Sequence, residues 1–289
     1  MRLGVLDTQH PRWATALAPA VEHLGYARYW LGEHHGNASQ SGSPEVLTGI
    51  IAAITSRIRV GPAGVLLRHY SPYKVAQSFR LLEDLFHPRV DLGLARGLGG
   101  DAAVTAALLD GRVADDSYEA KVRALLALLA PSSHDHVATA PCFGRTTPPA
   151  EIWVLGASMR SAIFAASVGA SYGFSDYIAR MTNADADGPG IVRAYRDAFV
   201  PSAFLHEPAW NVSIAGAATV GDVDALATMR ISGPPPMIGT PEQWHVKLRE
   251  LSEQYETDEF MLLDLCERYA DRRRSFELFA EAADLAALV

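Results

Sequence analysis

The 289-residue sequence predicts an α/β protein folded as a (β/α)₈ TIM barrel. Two observations indicate this fold. Short apolar runs alternate with amphipathic helical patterns about eight times, and no linker or internal repeat divides the chain. Alternating strands and helices are typical of a parallel sheet, and eight units favour a closed barrel over its rival, an open doubly wound sheet. We therefore expect one domain over residues 1–289.

The first half of the chain contains four strand–helix units. A strand at Arg2–Asp7 precedes a helix whose apolar residues recur with a period of about 3.6 (Trp13, Ala16, Leu17, Ala20, Val21, Leu24), and Gly25 ends this helix. The next strands are predicted at 27–32, 58–63 and 90–95, and their helices at about 44–56, 75–86 and 118–129.

The second half continues the alternation after a stretch rich in Pro, Ser, Thr and His, residues 131–149, which is predicted to be a loop. Strands are predicted at 152–155, 171–174, 210–215 and 259–263, and helices at 158–168, 191–199, 240–254 and from about Arg272. In a (β/α)₈ barrel the active site lies at the carboxyl ends of the strands. The residues that follow each predicted strand are therefore the candidates for a site.

Composition excludes several classes of function. With 25 basic and 33 acidic residues the net charge is −8, which argues against a nucleic-acid-binding surface. The two cysteines, Cys142 and Cys266, are far apart, and His134-Asp135-His136 has no second ligand pair, so neither a disulfide framework nor a metal site is expected.

Without a signal peptide or a long apolar run, the expected location is the cytoplasm, away from membranes. Arg272-Arg273-Arg274 is expected to be a solvated face or a partner of acidic neighbours.

The turn after the fifth predicted strand is suited to a phosphate group. The small residues Gly156, Ala157 and Ser158 open a helix, whose free N–H groups and dipole favour an anion, and Ser158 and Ser161 add hydroxyl donors. Arg96 follows the neighbouring fourth strand and supplies a fixed positive charge. A helix cap beside a surface arginine explains the same residues, so the pattern alone leaves both interpretations open.

A pair of histidines, His34 and His35, follows the second predicted strand. Because strand side chains alternate between faces, at most one of the two points over the mouth of the barrel. A histidine there can act as an acid, a base or a hydrogen-bond donor, although a structural histidine is the more common case.

The segment 25–36, which ends in Glu33-His34-His35-Gly36, resembles the strand-two signature of the bacterial luciferase-like flavin-dependent monooxygenases. Residues 55–72 and 74–97 resemble that family's third and fourth strands with their loops, and 152–158 and 238–242 continue the resemblance. The resemblance spans nearly the whole chain and is densest over residues 1–100.

The resemblance implies a barrel that binds FMN at the carboxyl ends of its strands. It implies that His34 lies beside the flavin, and that Ala63-Gly64 is a non-prolyl cis peptide under the flavin ring. Arg96, Gly156, Ala157, Ser158 and Ser161 are then phosphate ligands. The implied activity is oxygenation of a small organic, secondary-metabolite substrate by O₂ and FMNH₂, which a separate NAD(P)H:flavin reductase supplies. Members often form homodimers, for which the stripe Val75, Phe79, Leu82 and Phe86 is a candidate, although packing in the core explains it equally well.

One departure keeps other functions open. Larger members carry a long insertion between the seventh and eighth strands, where this chain has only residues 221–236. The alternatives are therefore an F420-dependent oxidoreductase on the same fold, or a non-catalytic flavin-binding or partner subunit.

Overall fold

The computed structural model describes residues 1–36, 40–110, 117–130, 150–221, 236–285 and 287. Strands and helices alternate through this part of the chain. The strands are β1 (Arg2–Asp7), β2 (Arg28–Leu31), β3 (Arg59–Pro62), β4 (Val65–Leu66), β5 (Asp91–Ala95), β6 (Glu151–Gly156), β7 (Ser171–Ser175), β8 (Trp210–Ala218), β9 (Met237–Gly239) and β10 (Glu259–Asp264). The helices are α1 (Pro11–His23), α2 (Pro44–Ile54), α3 (Pro72–Phe86), α4 (Ala102–Leu108), α5 (Tyr118–Leu129), α6 (Met159–Ser167), α7 (Asp176–Thr182), α8 (Gly188–Asp197), α9 (Pro241–Tyr255) and α10 (Tyr269–Ala282).

The strands form a single parallel sheet in which hydrogen-bonded neighbours run β3-β2-β1-β10-β8-β7-β6-β5-β4. A parallel bridge between Val60 and Val90 brings the start of β5 beside β3, so the sheet curls into a nearly closed barrel. The short strands β4 and β9 add to this ring, by pairing with β5 and β8. The predicted (β/α)₈ barrel is confirmed.

The seam between β3 and β5 depends on glycine. A Cβ atom on Gly61 would overlap the Asp91 carbonyl, and one on Gly64 would lie 2.8 Å from the backbone of Gly93. Backbones this close leave no room for a side chain. The two glycines therefore let β3 and the segment after it lie directly against β5.

The helices cover the barrel with their apolar faces. Pro11, Pro44, Pro72 and Pro241 begin four of them, because proline fits the first helical turn, where no N–H is needed. The buried faces repeat every three or four residues (Leu17 and Val21; Leu47 and Ile51; Val75, Phe79 and Leu82; Val122, Leu125 and Leu129; Trp244, Leu248, Leu251 and Tyr255). Inside the barrel, Leu6, Trp30, Trp153 and Met261 form a separate apolar cluster.

The stripe that the sequence offered for a homodimer belongs to the core. Val75, Phe79 and Leu82 are buried, and Phe86 packs partly against the core cluster. The alternative interpretation, core packing, is therefore correct. The exposed apolar side chains of α2 and α3 are different ones (Val46, Ile50, Ile54, Leu81, Leu85).

The arginine run is not a uniform solvated face, because that alternative is wrong for Arg272, whereas all three arginines pair with acidic residues. The last helix begins at Tyr269, which places Arg272 on its inner side. Arg272 is fully buried and donates to Asp7, whereas Arg273 and Arg274 are exposed and pair with Glu277.

Several predictions lie outside the described residues. These are the loop at 131–149 with His134, His136 and Cys142, and the segment 221–236 apart from its two end residues. Within the part of the chain that the model describes, no helix is long and apolar enough to cross a membrane. The same residues contain no group of three or more His, Cys, Asp or Glu that could hold a metal ion.

Candidate functional site

A cavity of about 400 Å³ opens at the carboxyl ends of the barrel strands. Small-molecule and cofactor sites typically measure roughly 300–1,000 Å³. All eight residues that the sequence singled out line this one cavity: His34, Ala63, Gly64, Arg96, Gly156, Ala157, Ser158 and Ser161. Residues from four strand ends, β2, β3, β5 and β6, are thus brought together as predicted.

One end of the cavity lies at the start of α6. Ser158 is the N-cap residue, and its side chain accepts a hydrogen bond from the Ser161 N–H. The Ser161 hydroxyl in turn accepts from the Ser158 N–H at 3.1 Å and donates to the Ser158 carbonyl at 2.7 Å. Both hydroxyls are therefore used to cap the helix. What this turn offers a ligand is chiefly its backbone N–H groups and the positive end of the helix dipole.

Glycine at position 156 is required by this cap. A Cβ atom there would overlap Cβ and Oγ of Ser161. The Ser161 hydroxyl also lies 3.0 Å from the Tyr172 hydroxyl on β7, which ties the cap to the next strand. Gly156 and Ser161 thus form one packed unit at the mouth of the cavity.

Two arginines line the same end of the cavity, Arg96 after β5 and Arg160 in the first turn of α6. Arg160 forms an ion pair of 2.9 Å with Glu119 on α5, which also lines the cavity. Because β5 and β6 are paired neighbours, Arg96 lies beside the start of α6, as the sequence predicted. Sequence reasoning missed Arg160, although its place in the first helical turn, two residues after Ser158, was a usable signal.

Other parts of the cavity lining are apolar. They include Leu6, Trp30, Val154 and Leu155, and the Ala63–Gly64 peptide bond is cis, as the resemblance implied. Gly64 contributes no side chain, so its backbone borders the cavity directly.

His34 and His35 face different surroundings, as strand alternation predicts. His34 lines the cavity, and its Nδ1 is buried with no hydrogen-bond partner in the described part of the chain. Burial lowers the pKa of His34, while the Glu33 charge raises it and His35 lowers it. His35 instead lies 2.8 Å from the Glu33 carboxylate through Nε2. The imidazole of His34 is therefore mainly neutral at pH 7, and its buried Nδ1 is enclosed by protein atoms.

A third group of lining residues carries hydroxyl groups, namely Thr8, Ser175, Tyr177 and Ser213 from the ends of β1 and β7 and from β8. None of these hydroxyls has a hydrogen bond to another described residue. Burial raises the pKa of Tyr177 to about 12, so its hydroxyl keeps its proton at neutral pH and can donate. Thr8, Ser175 and Tyr177 follow predicted strands and so were among the sequence candidates, without an assigned role, whereas Ser213 lies within a predicted strand and was not a candidate.

The fold and the cavity define the class of protein. It is a (β/α)₈ barrel with a cavity at the carboxyl ends of its strands, which is where the active sites of barrel enzymes lie. The chain belongs to the luciferase-like monooxygenase family, whose model matches residues 2–181. The resemblance seen in the sequence is confirmed.

Two curated relatives illustrate the similarity. The uncharacterized protein YwcH of Bacillus subtilis (strain 168) is 35% identical over 92% of this chain and 91% of its own length. The N-acetyl-S-alkylcysteine monooxygenase of the same organism is 40% identical over 56% of this chain and 50% of its own.

Solved structures share the fold over nearly the full length. Apo-MsnO8 matches with a TM-score of 0.86 and 28% identity over 99% of both chains. The oxygenating constituent of 3,6-diketocamphane monooxygenase from Pseudomonas putida, in complex with FMN, matches with a TM-score of 0.72 and 16% identity, over 100% of this chain and 99% of its own. An F420-dependent secondary alcohol dehydrogenase matches with a TM-score of 0.67 and 16% identity over 97% of both chains.

Proposed function

We propose that this protein is an FMNH₂- and O₂-dependent monooxygenase that oxidises a small organic substrate. The observation that carries the proposal is the mixed lining of the cavity. Arg96, Arg160 and the start of α6 are cationic or carry free backbone N–H groups, whereas the cis peptide and several apolar side chains offer no charge. A molecule that joins a phosphate to a flat, largely apolar ring system suits both kinds of lining.

The residues present fit FMN. Its phosphate would be held by Arg96, by the backbone of Gly156, Ala157 and Ser158, and by the helix start that Ser161 caps, since a helix N-terminus and a guanidinium both favour a phosphate. Ala63 and Gly64 would lie under its ring, beside the apolar part of the cavity lining. When bound in its reduced form, FMN would supply the two electrons that activate O₂, from which one oxygen atom reaches the substrate and the other leaves as water.

His34 and the hydroxyl groups would act on the reacting partners. The neutral imidazole of His34 could accept a proton from a reacting group in the cavity or donate one to it. Thr8, Ser175, Tyr177 and Ser213 form a polar surface suited to an oxygen-bearing substrate, because a hydrocarbon would leave these hydroxyls unpaired. Since no dinucleotide fingerprint occurs in the sequence, a separate NAD(P)H:flavin reductase would supply reduced FMN.

A second candidate is an F420-dependent oxidoreductase. The observation that favours it is the structural match to the F420-dependent alcohol dehydrogenase. F420 also carries a phosphate, so the cation-lined end of the cavity does not distinguish the two cofactors. We rank it second because the Glu33-His34-His35 sequence resembles the flavin-dependent members. The third reading is a non-catalytic flavin-binding or partner subunit.

An anaerobic titration of the purified protein separates these functions. FMN, photoreduced FMN and F420H₂ are added in turn, and binding is followed by cofactor absorbance and by quenching of tryptophan fluorescence, to which Trp30 at the cavity contributes. If the protein is a monooxygenase, we expect it to bind reduced FMN in preference to FMN and F420H₂. The bound reduced FMN should then be oxidised rapidly when O₂ is admitted. Preference for F420H₂ without O₂ uptake would establish the second candidate, and binding of neither reduced cofactor would leave the non-catalytic function.

A further inference from the structure

The carboxylate of Glu33 is fully buried beside the cavity and accepts three hydrogen bonds. The Leu66 N–H donates to Oε2 at 2.9 Å, and the Tyr70 hydroxyl donates to Oε1 at 2.6 Å. His35 Nε2 lies 2.8 Å from the same Oε1. With its oxygens occupied in this way, the carboxylate acts on its neighbours and not on a molecule in the cavity.

The donors belong to segments that are distant in sequence. His35 is in the loop after β2, whereas Leu66 and Tyr70 follow β3. Burial, followed by the hydrogen bond to Glu33, raises the pKa of Tyr70, so this hydroxyl remains a donor at every physiological pH. Glu33 therefore links two loops through charge-assisted hydrogen bonds, which are about twice as strong as neutral ones.

A third loop is attached through the histidines. The backbone N–H of His35 donates to the Gly99 carbonyl at 2.7 Å. The side chain of His69 approaches the same loop, with its Nε2 2.9 Å from the Leu98 carbonyl. The rings of His35 and His69 are 6.2 Å apart. We call Glu33, His35, His69 and Tyr70 the Glu33 cluster. It connects the loops after β2, β3 and β5 beneath the cavity.

These three loops carry the groups on which the proposed function depends. His34 adjoins Glu33, Gly64 is two residues before Leu66, and Arg96 is two residues before Leu98. We propose that Glu33 is a positioning residue, whose buried carboxylate fixes His34 relative to the Ala63–Gly64 peptide and the Arg96 loop. This inference rests on the proposed function, and it adds a residue that acts without touching cofactor or substrate.

The first test is Glu33→Gln, which keeps the size of the side chain and one acceptor for the Leu66 N–H but removes the charge. We expect kcat to fall by about 100-fold, the loss that a displacement of about 1 Å can cause. KM and the affinity for FMN should change by a much smaller factor than kcat, because no group proposed to contact FMN or substrate is itself replaced. The matched control is Glu45→Gln on α2, which removes a carboxylate near Glu33 and His35 that has no side-chain hydrogen bond to the described residues of the three loops.

Tyr70→Phe gives an independent check, since it removes one donor and leaves Glu33 charged. Its kcat should fall in the same direction by a smaller factor, and the Glu33→Gln/Tyr70→Phe double variant should be no worse than Glu33→Gln alone, because both changes break one shared hydrogen bond. Unchanged kcat in Glu33→Gln would overturn the proposal. So would a parallel loss of kcat, FMN affinity and melting temperature, which indicates a merely structural residue.

A second readout needs no activity and separates this inference from the proposed function. NMR of the cofactor-free protein should show faster hydrogen exchange of the Leu66 amide and a lower pKa of His34 in Glu33→Gln, since the Glu33 charge raises that pKa. Glu45→Gln should show neither change. If the wild type fails to bind FMN, the proposed function fails while these two signals still decide the role of Glu33, and their absence contradicts it.

Discussion

Arg272 in the last helix donates a hydrogen bond of 3.1 Å to Asp7 Oδ1 at the end of the first strand. Arg272 is fully buried and Asp7 almost so, and the Tyr29 hydroxyl also donates to the Asp7 carboxylate. Arg272 donates a further bond to the Asp264 carbonyl at the end of β10. One guanidinium therefore joins the first and last strands of the barrel.

Removing one partner of a buried ion pair leaves the other charge uncompensated. We expect Arg272→Met to lower the free energy of unfolding by about 3–5 kcal/mol. The matched control is the adjacent Arg273→Met, since Arg273 is 57% exposed and its pair with Glu277 is worth at most about 1 kcal/mol. Urea unfolding followed by circular dichroism measures both variants. Equal losses in the two would show that the contact between Arg272 and Asp7 contributes nothing to the barrel.

This contact also shows where sequence reasoning stops. Arg272, Arg273 and Arg274 have the same side chain and the same charge. Only their positions around a helix that starts at Tyr269 decide that Arg272 is buried and the other two are exposed. Its partner lies 265 positions away. The short elements β4, β9, α4 and α7 escaped prediction for a related reason, since two or three strand residues or about two helical turns are too few for a hydrophobic period to stand out.

The barrel and the cavity were more predictable because their signals are local. Each long strand carries its own apolar run, and the residues of the phosphate end are adjacent in sequence, as Gly156, Ala157 and Ser158 show. The Glu33 cluster was not predictable in this way, because Tyr70 meets Glu33 across 37 positions and only the packing of two loops brings them together.

Arg96 is predicted to recognise the phosphate of FMN. Arg96→Gln should weaken FMN binding by about 10- to 100-fold, which corresponds to the loss of a hydrogen bond to a charged group, about 1.5–3 kcal/mol. Riboflavin, which lacks the phosphate, should bind the variant and the wild type alike. Fluorescence titrations with both flavins measure the ratio, and Arg249→Gln on the exposed face of α9 is the control. If Arg96→Gln weakens the binding of FMN and riboflavin equally, Arg96 does not contact the phosphate.

The buried imidazole of His34 should make stability depend on pH. Because burial holds the pKa of folded His34 below its ordinary value of 6.5, the unfolded chain binds the proton more readily. The free energy of unfolding therefore decreases as the pH falls below about 6.5, until the folded protein is protonated as well. His34→Gln should remove this part of the decrease. Urea unfolding between about pH 5 and pH 8 tests it, and identical slopes for the variant and the wild type would contradict the burial of a neutral imidazole.

Gly156→Ala tests whether the packing of Gly156 against Ser161 shapes the end of the cavity. The added Cβ would overlap the Ser161 side chain, so Ser161 must move and the capping box that it forms with Ser158 must break. Loss of the cap costs about 0.5–2 kcal/mol, and overpacking adds about 1–3 kcal/mol. We expect a lower melting temperature together with weaker FMN binding, because the displaced turn would carry the phosphate ligands. Gly221→Ala is the control, since the one described atom that a Cβ there would meet is Thr219 Oγ1, at an ordinary contact distance of 3.6 Å. A Gly156→Ala protein that keeps the wild-type affinity for FMN while losing stability would show that this turn caps α6 but does not bind the phosphate.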